Sequence, residues 1–282
     1  MRTILVPVDA TSTSENAVKF AAEWASQYGY EHILLLKTSY ESLFDYVAIA
    51  DGYALVNEES VSSRQENTAM IMEHLRSITA ETAPSIKVTT TISEIPLLRS
   101  TIDLIKNDAS IELVILGSDD KEVSNDSFVA ANIIPIARTS PVKTLIVPNG
   151  YSYRTIKNVV VPCDIHRIAN LERLSRFRAV LKQENARLLL LNVATKEDSK
   201  ITDAIKKEWE HNLHQYFADV PYSIHYSFDK NIINGILSFT IANKADLIIA
   251  LPGKHSFLYY LANRSISEGI YQNVHQAVLI LK

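Results

Sequence analysis

An apolar run ending in proline and then aspartate occurs twice in the chain. It reads Thr3-Ile-Leu-Val-Pro-Val-Asp9 first and Asn158-Val-Val-Val-Pro-Cys-Asp164 later. A carboxylate just beyond a buried strand has two uses. It accepts hydrogen bonds from the hydroxyls of a sugar such as ribose, or it caps the turn or helix that follows. Other residue types that could do chemistry are weaker. His211 and His214 stand three apart on a predicted helix near Glu208 and Glu210, but H-E-x-x-H is absent and no third ligand is evident, which favours a solvated face over a metal site. Ser118, Ser256 and Ser265 lie in no G-x-S-x-G elbow, so hydrolase chemistry has no support. Cys163 ends an apolar run, where a helix N-terminus can activate a thiol, although a small buried hydrophobe is the more common role there.

Glycine appears only 7 times in 282 residues, against an average usage of ~7%. Loops that cradle phosphate need glycine for positive φ and for close backbone approach. Neither G-x-G-x-x-G nor G-x-x-x-x-G-K-[ST] occurs. A net charge of −4 gives no global attraction to nucleic acid or anionic membrane. The single cysteine excludes an internal disulfide and a thiolate zinc site, and fits a reducing compartment. The N-terminal apolar run is too short for a signal peptide, and no stretch of 18 apolar residues exists, so a cytoplasmic, soluble protein is expected.

The elements that must position the two aspartates also repeat. His32-Ile-Leu-Leu-Leu36 matches Arg187-Leu-Leu-Leu-Leu191, Leu113-Val-Ile-Leu-Gly117 matches Leu247-Ile-Ile-Ala-Leu251, and each half closes on an apolar strand, Thr144–Val147 and Val278–Leu281. The first half reads as strands 3–8, 32–38, 86–92, 112–117 and 143–148, separated by helices over 14–28, 58–82, 95–108 and 127–139. The second reads as strands 157–162, 187–193, 222–228, 246–251 and 277–281, with helices over 167–184, 199–218, 231–244 and 256–273. Continuous Val/Ile/Leu runs alternating with segments of helical period signify parallel strands buried on both faces. Each half is therefore expected to be a doubly wound α/β domain with helices on both faces, the first over 1–148 and the second over 154–282. Asn149-Gly-Tyr-Ser-Tyr-Arg154 is the short tether between them. Tyr40–Asn57 is an aromatic and apolar insertion without a sustained period. It is read as a loop over the sheet edge or a partner surface, with a substrate lid as the alternative.

The strand-Pro-Val-Asp start, the five-strand α/β order and Leu116-Gly117-Ser118 at the end of the fourth strand together resemble the universal stress protein family, across nearly all of both halves. The resemblance implies a tandem member of that family, each half a five-stranded parallel sheet of order 3-2-1-4-5. It implies ATP binding as some members show, and pairing of domains, within one chain or in a homodimer, through the fifth strand. The family's phosphate motif is Gly, two residues, Gly, nine residues, then Gly followed by Ser or Thr. The first half keeps Gly117 but places Asp120, Ala130 and Ala131 at the remaining positions, and Asp119 and Asp120 would set two negative charges where a triphosphate lies. The second half places Leu251, Lys254 and Arg264 at the glycine positions and Ser265 at the hydroxyl position. There Lys254, His255 and Arg264 could hold an anion by side chains, or form a basic helix face in water. Val193 falls where the family places an apolar contact to adenine, and Thr38 is its counterpart in the first half.

The resulting expectation is a cytoplasmic stress-response binding or interaction protein without catalysis. Its candidate first site is Asp9, Thr38, Gly117 and Ser118, with a degenerate phosphate grip. Its candidate second site is Asp164, Val193, Lys254, Arg264 and Ser265, with residual affinity for ATP or another anion. The alternatives are an ATP binder with weak ATPase activity and a purely protein-interacting scaffold with closed clefts. No nucleic acid, membrane or metal is expected as a partner.

Overall fold

The computed structural model describes residues 1–39, 48–50, 53–55, 58–118, 127–165, 167, 169–194, 203–251 and 276–282. These form two compact units, Met1–Tyr153 and Arg154–Lys282.

In the first unit, β1 (Thr3–Val8) leads to α1 (Ser12–Tyr28) and β2 (His32–Thr38). The short β3 (Ala48–Ala50) and β4 (Tyr53–Leu55) follow, then α2 (Glu58–Thr82), β5 (Lys87–Ser93), α3 (Leu97–Asn107), β6 (Ile111–Ser118), α4 (Phe128–Thr139) and β7 (Lys143–Pro148). The five long strands are parallel, in the order β5-β2-β1-β6-β7. This is the 3-2-1-4-5 order. All six residues of β1 are buried, as a central parallel strand covered on both faces requires. Chain growth from β1 outward through β2 to β5, then back across to β6 and β7, puts α1 and α2 on one face. The right-handed crossovers put α3 and α4 on the other. Accordingly α1 packs on α2, and α3 on α4.

Local chemistry explains the helix limits. Thr11 caps α1 by accepting the Ser14 N–H, and Gly29 ends the helix at φ 68°, a left-handed position that glycine adopts without strain. Ser127 caps α4 through the Ala130 N–H. Where the sequence showed no period within 40–57, Ala48–Ala50 and Tyr53–Leu55 pair as a small antiparallel hairpin. The rest of that insertion lies outside the described residues.

The second unit contains β8 (Asn158–Pro162), α5 (Ala169–Ser175), α6 (Arg178–Gln183), β9 (Arg187–Ala194), α7 (Asp203–Phe217), β10 (Tyr222–Phe228), α8 (Ile232–Ala242), β11 (Leu247–Ala250) and β12 (Ala277–Ile280). Its strands are also parallel, in the equivalent order β10-β9-β8-β11-β12. The helix expected over 167–184 is broken in two. The Arg176 and Phe177 amides bond back three residues, to the carbonyls of Arg173 and Leu174, which tightens the chain there and turns Leu174, Phe177 and Leu181 into the core. In α7 the buried stripe is Trp209, Leu213 and Phe217, as helical spacing predicted. The helix expected over 256–273 lies outside the described residues. Among the described residues no helix is long and apolar enough to cross a membrane.

Candidate functional site

In an open parallel sheet the ligand crevice lies beyond the carboxyl ends of the strands, where strand order reverses. In the first unit that point is the end of β1, between β2 and β6. Val8 pairs with Lys37, so Asp9 and Thr38 follow side by side at the rim.

Both carboxylate oxygens of Asp9 are engaged by the chain itself. Oδ1 accepts from the Thr11 N–H at 3.2 Å, from the Thr11 hydroxyl and from the Ser14 hydroxyl at 2.7 Å. The Ser14 Oγ in turn accepts the Asp9 N–H at 2.8 Å. Oδ2 reaches the first turn of α4, accepting from Ser127 Oγ at 2.8 Å and the Val129 N–H at 3.1 Å. Burial opposes ionisation of Asp9, but the bonds from Thr11, Ser14, Ser127 and Val129 outweigh it and hold the carboxyl below its ordinary value. The group is an anion at neutral pH.

The N-terminus of α4 is where the motif count put Ala130 and Ala131, and where a phosphate would meet helix amides. Those amides are already committed. Val129 donates to Asp9, Ala130 to the Ser127 hydroxyl at 3.1 Å, and Ala131 to the Ser127 carbonyl at 3.4 Å.

Two of the remaining first-half candidates, Gly117 and Ser118, make contacts within the chain. A Cβ on Gly117 would stand 2.7 Å from both the carbonyl oxygen and Cγ2 of Thr13, so this glycine lets the first turn of α1 lie against β6. Ser118 is buried. Its hydroxyl faces the Val147 carbonyl at 3.5 Å, and its own carbonyl accepts the Asn149 N–H at 2.9 Å. The Thr38 hydroxyl oxygen is buried with no hydrogen-bond partner among the described residues. Asp119 and Asp120 lie outside the described residues.

The second unit solves the same position differently. Asp164 Oδ2 accepts from Arg167 Nε at 3.2 Å, and the Arg167 N–H donates to the Asp164 carbonyl at 3.0 Å, closing a turn ahead of α5. The strand end beneath is fixed by the Cys163 N–H to the Leu191 carbonyl at 2.8 Å and by Asn192 Nδ2 to the Cys163 carbonyl at 3.0 Å. Burial, and then the Asp164 charge, push the Cys163 thiol far up, which makes it a poor nucleophile. Val193 is buried against Gly235 of α8, where an added Cβ would come within 2.9 Å of its Cγ1. Lys254, Arg264 and Ser265 lie outside the described residues, as does His255. In α7, His211 Nε2 lies 3.0 Å from Gln215 and His214 Nδ1 lies 3.3 Å from the Tyr222 hydroxyl.

Ser127 and Arg167 were missed by reading the sequence for motifs. Ser127 carries only a helix-cap signal, a serine ahead of an apolar run, and nothing local points to its partner Asp9. Arg167 had a usable signal, a cation three residues beyond the strand-ending aspartate.

Doubly wound parallel sheets, with an aspartate at the reversal point of each, define a class of α/β proteins built around a crevice at the strand ends. Within that class, a family model described as the universal stress protein family matches residues 1–148, and the chain belongs to that family. Among solved structures it is similar to a universal stress protein from Archaeoglobus fulgidus DSM 4304, at 13% identity and a TM-score of 0.69, covering 99% of this chain and 96% of that one. It is similar to a functionally unknown protein from Pseudomonas aeruginosa PAO1, at 14% identity and a TM-score of 0.54, covering 100% and 92%. It is also similar to the cytoplasmic domain of a prokaryotic cation chloride cotransporter, at 10% identity and a TM-score of 0.50, covering 99% and 95%. At such identities the likeness is one of fold. No curated protein matches the chain.

Proposed function

We propose that this chain is a tandem, cytoplasmic stress-response binding protein, not an enzyme, in which the first unit has given up its phosphate site and the second keeps affinity for an anion or nucleotide. The observation that carries this reading is the contact of Asp9 Oδ2 with Ser127 Oγ and the Val129 N–H. A carboxylate already sits on one of the helix-start amides that a triphosphate would need, and its charge opposes the approach of another anion. In the second unit the equivalent aspartate is paired with a guanidinium. The motif count adds Lys254 and Arg264 to that half, with Ser265 as a hydroxyl donor and Val193 and Asp164 at the adenine and ribose positions that the family resemblance implies. ATP is the first nucleotide to test.

Calorimetric titration of the full chain with ATP and magnesium tests the reading. It predicts no more than one site per chain, weakened by Arg264→Ala. Tight binding that survives Arg264→Ala and is abolished by Asp9→Ala would overturn it.

A further inference from the structure

The two strand-ending aspartates differ in the sign of what holds them. Asp9 is surrounded by neutral donors, two backbone amides and three hydroxyls, and no cation among the described residues meets its charge. At Asp164 the charge is met by Arg167, and the pair is neutral in sum. The residue three beyond Asp9 is Ser12, which supplies no cation there.

Arg167 bonds Asp164 through Nε. A guanidinium carries five N–H donors in a planar fork, so engagement through Nε leaves the outer edge, formed by Nη1 and Nη2, available for a second two-oxygen acceptor. Among the described residues Arg167 has no other side-chain hydrogen bond, and its side chain is 40% exposed. The turn that holds it is fixed at both ends, by the Arg167 N–H on the Asp164 carbonyl and by the Asn170 N–H on the Arg167 carbonyl at 3.1 Å. The guanidinium therefore stands over the reversal point of the second sheet, between β9 and β11, where a ligand of this fold class lies.

The geometry points to Arg167 as the anion-selecting residue of the second crevice, binding phosphate-type oxyanions through its outer edge while Asp164 holds and competes for it. This rests on the reading that the second unit keeps an anion site, and it adds the residue that recruits the anion. Asp164 acts here as a positioning group and as a resident competitor. Removing its charge frees the guanidinium and lifts a repulsion from the incoming oxyanion.

The test is calorimetric titration of the full chain with inorganic pyrophosphate, which has no sugar or base. Arg167→Ala is expected to weaken binding roughly tenfold or more, the loss of charge-assisted hydrogen bonds. Asp164→Asn is expected to tighten it several-fold, a gain that misfolding cannot produce. Arg178→Ala, which removes an exposed arginine paired with Asp219 elsewhere on the unit, is expected to leave it unchanged and so controls for bulk charge. Equal binding by wild type and Arg167→Ala would overturn the inference and leave the second-unit anion site standing. A loss in Asp164→Asn as large as in Arg167→Ala would also overturn it, because the pair would then be a structural tie. No titration by the wild-type chain with either pyrophosphate or ATP would overturn the site itself, and the inference with it.

Discussion

The carboxylate of Asp9, at the end of the first strand, accepts the backbone N–H of Val129 at 3.1 Å, 120 residues away in the first turn of α4. With the Ser127 hydroxyl on the same oxygen, it ties the two sides of the crevice together and puts the chain's own anion on the helix N-terminus. The equivalent aspartate of the second unit, Asp164, accepts from Arg167.

Asp9→Ala should destabilise the first unit by about 3 kcal/mol, since it strands several donors that lose their acceptor in a partly buried site. Urea denaturation followed by tryptophan fluorescence measures this. Trp24 reports the first unit and Trp209 the second, so a Trp209→Phe background isolates the relevant transition. A shift under about 0.5 kcal/mol would mean the clasp contributes little.

The same clasp sets an acid limit. Because Asp9 ionises more readily in the folded chain than its ordinary value of 3.8, the unfolded chain binds more protons at low pH. Its contribution is fully present above that value and is lost as pH falls through the lower folded value. Asp9→Asn should remove this part of the acid dependence, and the stability difference from wild type should shrink steadily below about pH 4. A difference that stays constant down to pH 2 would contradict the assignment.

His32 gives a second, separate pH response. Its Nδ1 faces Thr3 Oγ1 at 3.1 Å, its Nε2 faces Thr89 Oγ1 at 2.7 Å, and Thr3 is linked on to Ser110 at 2.8 Å. Burial, and then Lys87, lower its basicity, while Asp108 works the other way. A base with a lowered folded value is protonated preferentially in the unfolded chain. Its contribution is therefore complete above about pH 6.5 and declines as pH falls from there through the folded value. His32→Gln should flatten that stretch of the stability profile, measured by thermal melts between pH 7.5 and 5.

Gly117→Ala should cost about 1 to 3 kcal/mol, because the new methyl would meet backbone and side-chain atoms of Thr13 at 2.7 Å and force α1 away from β6. Its retention is thus accounted for by packing, without a phosphate. Gly235→Ala is the milder counterpart, since the atoms it meets, Val193 Cγ1 at 2.9 Å and Asp229 Cβ at 3.1 Å, belong to side chains. The two melts should rank in that order.

The repeated strand-Pro-x-Asp pattern is enough to place β1 and β8, and continuous apolar runs place β2, β6, β7, β9, β11 and β12, because burial leaves a signal that survives in single residues. The edge strands β5 and β10 are only partly buried and carry polar residues. The break between α5 and α6 was not legible, since Leu174, Phe177 and Leu181 keep a helical spacing through it. For Asp9 the sequence allows a ribose acceptor or a cap, and in the structure its carboxylate accepts from two turns at once. One of these, at Thr11 and Ser14, is local. The other, at Ser127 and Val129, is set by the packing of β1 beside β6 and has no local trace. Arg167 was legible in spacing, but its meaning depends on where β8 ends.

The most direct test of the claim that the first crevice is filled from within is the Val129 amide resonance in the full chain during titration with ATP and magnesium. This resonance should stay where it is throughout and move on Asp9→Asn, while the amides of Asp164 and Arg167 shift and saturate with nucleotide. A Val129 resonance that shifts and saturates with ATP while those of Asp164 and Arg167 stand still would contradict it.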